Sequence, residues 1–98
     1  MEQPTILVAD DNDVNRVLLK LILEKEGFRA ILAEDGPTAR ALAMQDTPDL
    51  VLLDVMMPGE DGFETCARLR TDRHTADIPV IFLSARDDTK SKVRGLQY

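Results

Sequence analysis

Short apolar runs alternate along the chain with longer segments in which apolar residues recur three and four positions apart. The runs are Ile6 to Ala9, Ala30 to Ala33, Leu50 to Leu53 and Val80 to Leu83. None of them alternates with polar residues, so both faces of each strand must be covered, as in a parallel sheet with helices packed on either side. Between the first two runs, Val14, Val17, Leu18, Leu21 and Ile22 recur at helical spacing. Asp11, Asn12 or Asp13 is placed to cap the start of that helix and Gly27 to stop it. Pro37 to Gln45 carries Ala39, Leu42 and Ala43 on one face, and Gly62 to Arg70 carries Phe63, Cys66, Ala67 and Leu69, so both read as shorter helices. A last polar segment begins at Asp87 and reaches Val93 and Leu96, which suits the first turns of a fourth helix. Four βα units joined by right-handed crossovers predict an α/β fold with a doubly wound parallel sheet, and ligands of such sheets sit outside the carboxyl ends of the strands.

Composition narrows the picture. The chain has 98 residues, 44% hydrophobic and 31% charged, which suits one small globular domain over residues 1–98. Twelve Lys and Arg against eighteen Asp and Glu leave a net charge of −6, which disfavours direct binding to nucleic acid or to an anionic membrane surface. Cys66 is the only cysteine and has no internal disulfide partner. The start MEQPTILVADD lacks the basic region and long apolar core of a secretory signal, and no apolar stretch approaches the ~20 residues of a membrane span. A cytoplasmic location is therefore expected.

The chemistry lies at the strand ends. The first strand runs into Asp10 and Asp11 and the third into Asp54. If those strands are neighbours, three carboxylates converge in one crevice, where their repulsion calls for a cation. Mg2+ takes hard oxygen ligands, often one or two carboxylates with water and phosphate, and this cluster supplies such a half-shell. Each acid also has an ordinary reading: an Asp-Asp pair before a helix can cap it, and Asp54 before a Pro-Gly turn can be a loop acid. Their joint placement at strand ends is harder to explain by capping. The fourth run ends in Ser84, whose hydroxyl reaches the same edge and could donate to an anion bound there, although a serine closing a strand is commonly a turn former.

Three segments, VADDN at residues 8–12, LLDVMMPGEDG at 52–62 and PVIFLSA at 79–85, fall in order on successive strand ends. Together they resemble the receiver domain of two-component response regulators, over essentially the whole chain. The resemblance implies the flavodoxin-like topology with strand order 2-1-3-4-5. It implies that Asp54 is the phosphoacceptor, taking a phosphoryl group from a phosphohistidine on a sensor histidine kinase or phosphotransfer protein. It further implies that Asp10, Asp11, Asp54 and the backbone carbonyl of Met56 hold Mg2+, and that Ser84 bonds a phosphoryl oxygen. Met56, Met57, Ala85 and Arg86 would neighbour the phosphoryl site, and in similar proteins positions 56 and 86 influence how fast the acyl phosphate is made and lost. Such a protein is a signalling switch rather than an enzyme, with at most self-catalysed phosphorylation and dephosphorylation, and its output is a changed protein surface. His74, in the polar stretch RTDRHTAD, is assigned no role.

Receivers continue into a fifth strand, whose lysine contacts the phosphoryl group, and a fifth helix. The sequence stops at GLQY, so four strands of the usual five are expected, in a receiver truncated at its C-terminus; Lys90 and Lys92 belong to the fourth helix and cannot stand in for that lysine. Any output domain lies outside this chain. An apolar fourth strand at a sheet edge is a template for pairing, and a homodimer through Pro79 to Leu83 is the expected consequence. A monomeric mass in sedimentation at high micromolar concentration would count against it. Two other readings compete. A haloacid-dehalogenase-like phosphatase also uses a strand-end Asp with Mg2+, but it needs a second Asp two positions on, where this chain has Met56. A pseudo-receiver, acting as an interaction or dimerisation module without phosphorylation, is favoured by the absent fifth strand and opposed by Asp10, Asp11, Asp54 and Ser84.

Overall fold

The computed structural model describes residues 3–83. The elements run β1 (Thr5–Ala9), α1 (Asp13–Lys25), β2 (Arg29–Ala33), α2 (Gly36–Asp46), β3 (Leu50–Asp54), α3 (Gly62–Arg70) and β4 (Val80–Leu83). The four strands form one parallel sheet in the order β2-β1-β3-β4, with Val8 opposite Leu32 on one side and Leu52 on the other. Each of the four predicted runs is a strand, and the predicted doubly wound, flavodoxin-like sheet is present. The fourth helix expected from Asp87 lies outside the described residues.

Side chains along a strand point alternately to opposite faces, and this divides each apolar run between two cores. On one face Leu7, Ala9, Val51 and Leu53 meet Ala39 and Ala43 of α2 and Cys66 and Leu69 of α3, with Ile31, Val80 and Phe82 packed beside them. On the other, Ile6, Val8 and Leu52 meet Leu19 and Leu23 of α1. All three described helices begin on a side-chain cap: Asn12 accepts from the Asn15 N–H, Asp35 from Thr38 and Asp61 from Glu64. Of the three candidates for the start of α1, Asn12 takes the position, and Gly27 follows the helix with φ of 94°, a left-handed conformation that costs glycine little. Between α3 and β4, Arg70 donates to the carbonyls of Ala76 and Ile78, and the buried Thr75 hydroxyl donates to the Leu69 carbonyl.

The apolar residues that announce α1 do not face the sheet. Val14, Val17, Leu18, Leu21 and Ile22 are each between 52% and 67% exposed, while the flank bearing Leu19 and Leu23 makes the contact. The cause is one of width. Strands are ~4.8 Å apart and a helix with its side chains is ~10 Å across, so one helix covers about two strands. Among the described residues, α2 and α3 lie on one face and α1 on the other. On β4, Ile81 is likewise 51% exposed. Among the described residues, β4 is the outermost strand on that side. No helix of the described residues is long and apolar enough to cross a membrane.

Candidate functional site

The adjacency of β1 and β3, on which the carboxylate argument depended, brings the three acids together. Asp10 follows β1, Asp11 comes next, and Asp54 closes β3; one carboxylate oxygen of each lies within 4.8 Å of the others. Asp10 and Asp54 are buried and Asp11 is exposed. Local turns hold the two buried acids. Asp10 Oδ1 accepts from the Asn12 N–H at 2.9 Å, and Asp54 Oδ1 accepts from the Met56 N–H at 3.1 Å. The Asp10 N–H donates to the Ala33 carbonyl at 3.1 Å, extending the β1–β2 ladder to the acid itself. Backbone hydrogen bonds of the sheet therefore position the carboxyl groups, and each carboxylate keeps capacity to accept beyond its own turn.

Electrostatics set Asp54 apart. Burial pushes its carboxyl above the usual carboxylate range, and the charges of Asp10 and Asp11 add to that shift, against the Met56 N–H, which favours the ionised form. Crowded, buried anions are the condition that a hard divalent cation relieves. The donor set is all oxygen, and it fits Mg2+. A groove of about 380 Å3 opens beside the cluster, lined by Asp10 and Asp54 and by Asn15, Leu18 and Ile22 of α1.

Other predicted residues divide. Met56 is 53% exposed on the loop after β3, whereas Met57 is buried in the core under α2 and α3. Ser84, Ala85 and Arg86 lie outside the described residues. The Leu83 carbonyl accepts from the Val55 N–H at 3.2 Å, which sets the end of β4 beside the end of β3. Cys66 is buried, and burial pushes its thiol up, so it is held as a neutral core side chain. His74 is exposed and pairs with Asp72, whose carboxyl is lowered by hydrogen bonds from His74.

Two arrangements escaped the sequence. Arg16 Nη1 donates to the Asp10 backbone carbonyl at 2.7 Å while its other nitrogen pairs with Asp13, so a cation lies against the end of β1. Glu60, in the loop after Asp54, accepts from both Arg40 Nε and Nη2 at 2.9 Å and from the Thr65 hydroxyl at 2.7 Å. Arg40 is twenty positions away on another helix, and no linear spacing connects the two.

A four-stranded parallel sheet in flavodoxin-like order, with three carboxylates gathered at the carboxyl ends of its central strands, defines a receiver fold. Residues 6–98 match the response regulator receiver domain, and the chain belongs to that family. It is 47% identical over 92 residues to the response regulator PleD of Caulobacter vibrioides, covering 94% of this chain and 20% of that protein. The chain thus spans about a fifth of that relative. Among solved structures it is similar to the N-terminal domain of a response regulator receiver protein from Methanoculleus marisnigri, with a TM-score of 0.84 and 41% identity over 92% of this chain and 73% of that one. A response regulator from Chloroflexus aurantiacus superposes with a TM-score of 0.90 at 31% identity, covering 98% of this chain and 79% of that one.

Proposed function

We propose that this chain is a phosphoacceptor receiver in which Asp54 takes a phosphoryl group from the phosphohistidine of a sensor histidine kinase or phosphotransfer protein. The observation that carries this reading is the convergence of Asp10, Asp11 and Asp54 within 4.8 Å at the carboxyl edge of a receiver fold. In the transfer, a carboxylate oxygen of Asp54 attacks phosphorus. The new O–P bond forms as the P–N bond breaks, and the electron pair stays on the departing imidazole nitrogen. Asp10, Asp11, Asp54 and the Met56 carbonyl would hold Mg2+, which when bound supplies positive charge against the carboxylates and the phosphoryl oxygens. The chain's own part is placement: the Met56 N–H fixes the rotation of the Asp54 carboxyl, and the ends of β1 and β3 set its distance from Asp10. Ser84, next after β4, is proposed to donate to a phosphoryl oxygen.

The exposed apolar flank of α1 borders the groove at Asp54, which supports docking of a partner's apolar surface there. The protein is proposed to act in the cytoplasm, with its output through a changed surface or a domain outside this chain. A homodimer paired along β4 belongs to the same proposal, since that strand is outermost among the described residues.

Incubating the 98-residue chain with a small-molecule phosphoryl donor and Mg2+ should add the mass of one phosphoryl group to most molecules, read by intact mass spectrometry. Chelating the metal should remove the adduct. A folded chain that gains no mass with Mg2+ present would overturn the proposal and leave an interaction module that works without phosphorylation.

A further inference from the structure

Among the described side chains outside the acidic cluster, Glu60 has the densest set of charged contacts. Its carboxylate is 11% exposed and receives the fork of Arg40, the Thr65 hydroxyl and, at 3.3 Å, Arg68 Nε. Those partners come from two elements, α2 and α3, while Glu60 itself sits in the loop that begins one residue after Asp54. Hydrogen bonds to the two Glu60 oxygens and the charge of Arg40 hold its carboxyl below the usual range despite burial, so it is an anion at neutral pH. The approach is close. A Cβ on Gly36 at the start of α2 would lie 2.6 Å from Glu60 Oε2 and 2.3 Å from Thr65 Oγ1, so the network uses the space that a glycine leaves.

Such a network is a poor stabiliser. A partly buried ion pair repays little more than its desolvation cost, and exposed ones such as Arg68 contribute less still. What a bidentate Arg-carboxylate pair gives is geometry, because both charge and fork direction are satisfied in one arrangement. The loop it fixes is otherwise pinned at its base, where the Gly62 N–H donates to the Val55 carbonyl at 3.1 Å, and by Met57 in the core. Met56, exposed and hydrogen-bonded through its N–H to Asp54, lies between those pins.

We infer that Glu60 is a positioning residue for the acidic site: by tying the end of the β3–α3 loop to Arg40 and Thr65 it holds the start of α3, where Gly62 pins Val55, and through that pin the backbone at Met56, the affinity of the cluster for Mg2+ and the rate at which Asp54 is phosphorylated. The inference rests on the function proposed above.

The test is a Mg2+ titration of the whole chain, followed by the Met56 amide resonance, with the phosphorylation rate measured on the same samples. In Glu60→Gln the Mg2+ dissociation constant should rise about tenfold and the rate should fall in step, the low end of what losing a supporting partner does at a metal site. Leu23→Ala, which destabilises the opposite face of the sheet, is the control; at a temperature where both variants are folded it should keep the affinity of the unsubstituted chain. If Glu60→Gln does not fold, Arg40→Lys takes its place, since it keeps the charge and loses the fork, and weaker Mg2+ binding is again expected. Unchanged affinity in the variant used, or equal weakening in it and in Leu23→Ala, would overturn the positioning role. An unsubstituted chain that neither binds Mg2+ nor accepts a phosphoryl group would overturn the proposed function and this inference with it.

Discussion

Asp54→Asn is expected to abolish the phosphoryl adduct entirely and, at the same time, to raise the melting temperature of the metal-free chain at neutral pH. Loss of the adduct follows from chemistry, because an amide oxygen is too weak a nucleophile to replace the carboxylate. The gain in stability follows from electrostatics. The folded-state value of Asp54 lies above its unfolded one, through burial first and the charges of Asp10 and Asp11 next. A group shifted in that direction contributes stability that is fully present below the usual carboxylate value and is lost as pH rises through the raised value. Above that raised value the metal-free fold carries a buried, crowded anion, and the neutral amide removes it. Glu60, Asp35 and Asp72 are shifted downward, so their contributions have the opposite sign and fade as pH falls. The informative quantity is thus the difference between the two proteins, which should shrink on acidification through the raised Asp54 value. Adding Mg2+ should reverse their order, since a ligand at free concentration L that binds only the folded chain stabilises it by RT ln(1 + L/Kd), and the variant has lost one carboxylate of the site. Thermal melts in chelator and in excess Mg2+ measure both arms. A variant less stable than the unsubstituted chain in chelator at neutral pH would sink the electrostatic account.

How far this could be read beforehand depended on the kind of information involved. The strands were legible because a strand covered on both faces must be apolar at every position, and Ile6 to Ala9 or Leu50 to Leu53 satisfy that without reference to anything distant. Asp10, Asp11 and Asp54 were legible for a related reason, since charged residues directly after such runs can sit only at a strand end. The orientation of α1 was not. Its periodicity predicts a helix, but Val14, Val17, Leu18, Leu21 and Ile22 form a wider apolar stripe than one sheet contact needs, and only the tertiary arrangement shows that Leu19 and Leu23 make that contact. Nor was the Glu60 network, because an ion pair between a loop and a helix twenty positions away leaves no periodic trace. Local and periodic constraints surface in a single sequence, whereas pairwise long-range ones do not.

Gly62 shows where a long-range constraint does act on a single residue. Gly62→Ala is expected to lower the melting temperature by roughly 5–15 °C and to weaken Mg2+ binding at the acidic cluster. Its backbone needs no special conformation; the difficulty is space. A Cβ there would lie 2.5 Å from the Asp54 carbonyl oxygen, 2.9 Å from Val55 Cα and 3.0 Å from the Asp54 carbonyl carbon. All three are backbone atoms at the end of β3, so no side chain can rotate away, and either α3 withdraws from the sheet or Asp54 moves. Crowding of this kind typically costs ~1–3 kcal/mol, partly offset by the ~0.4–1 kcal/mol that replacing glycine removes from unfolded-chain freedom. For a domain of about this size each kcal/mol corresponds to ~4–8 °C. Gly27→Ala is the matched comparison. Gly27 has φ of 94° and nothing within 4 Å of its would-be Cβ, so alanine there strains the end of α1, at ~1–2 kcal/mol, without reaching the acids. Both substitutions should lower the melting temperature, but only Gly62→Ala should raise the Mg2+ dissociation constant and slow phosphorylation of Asp54. Gly62→Ala with unchanged Mg2+ affinity would show that the end of β3 yields to the new methyl group without moving the site, and that the placement of Asp54 does not depend on the start of α3.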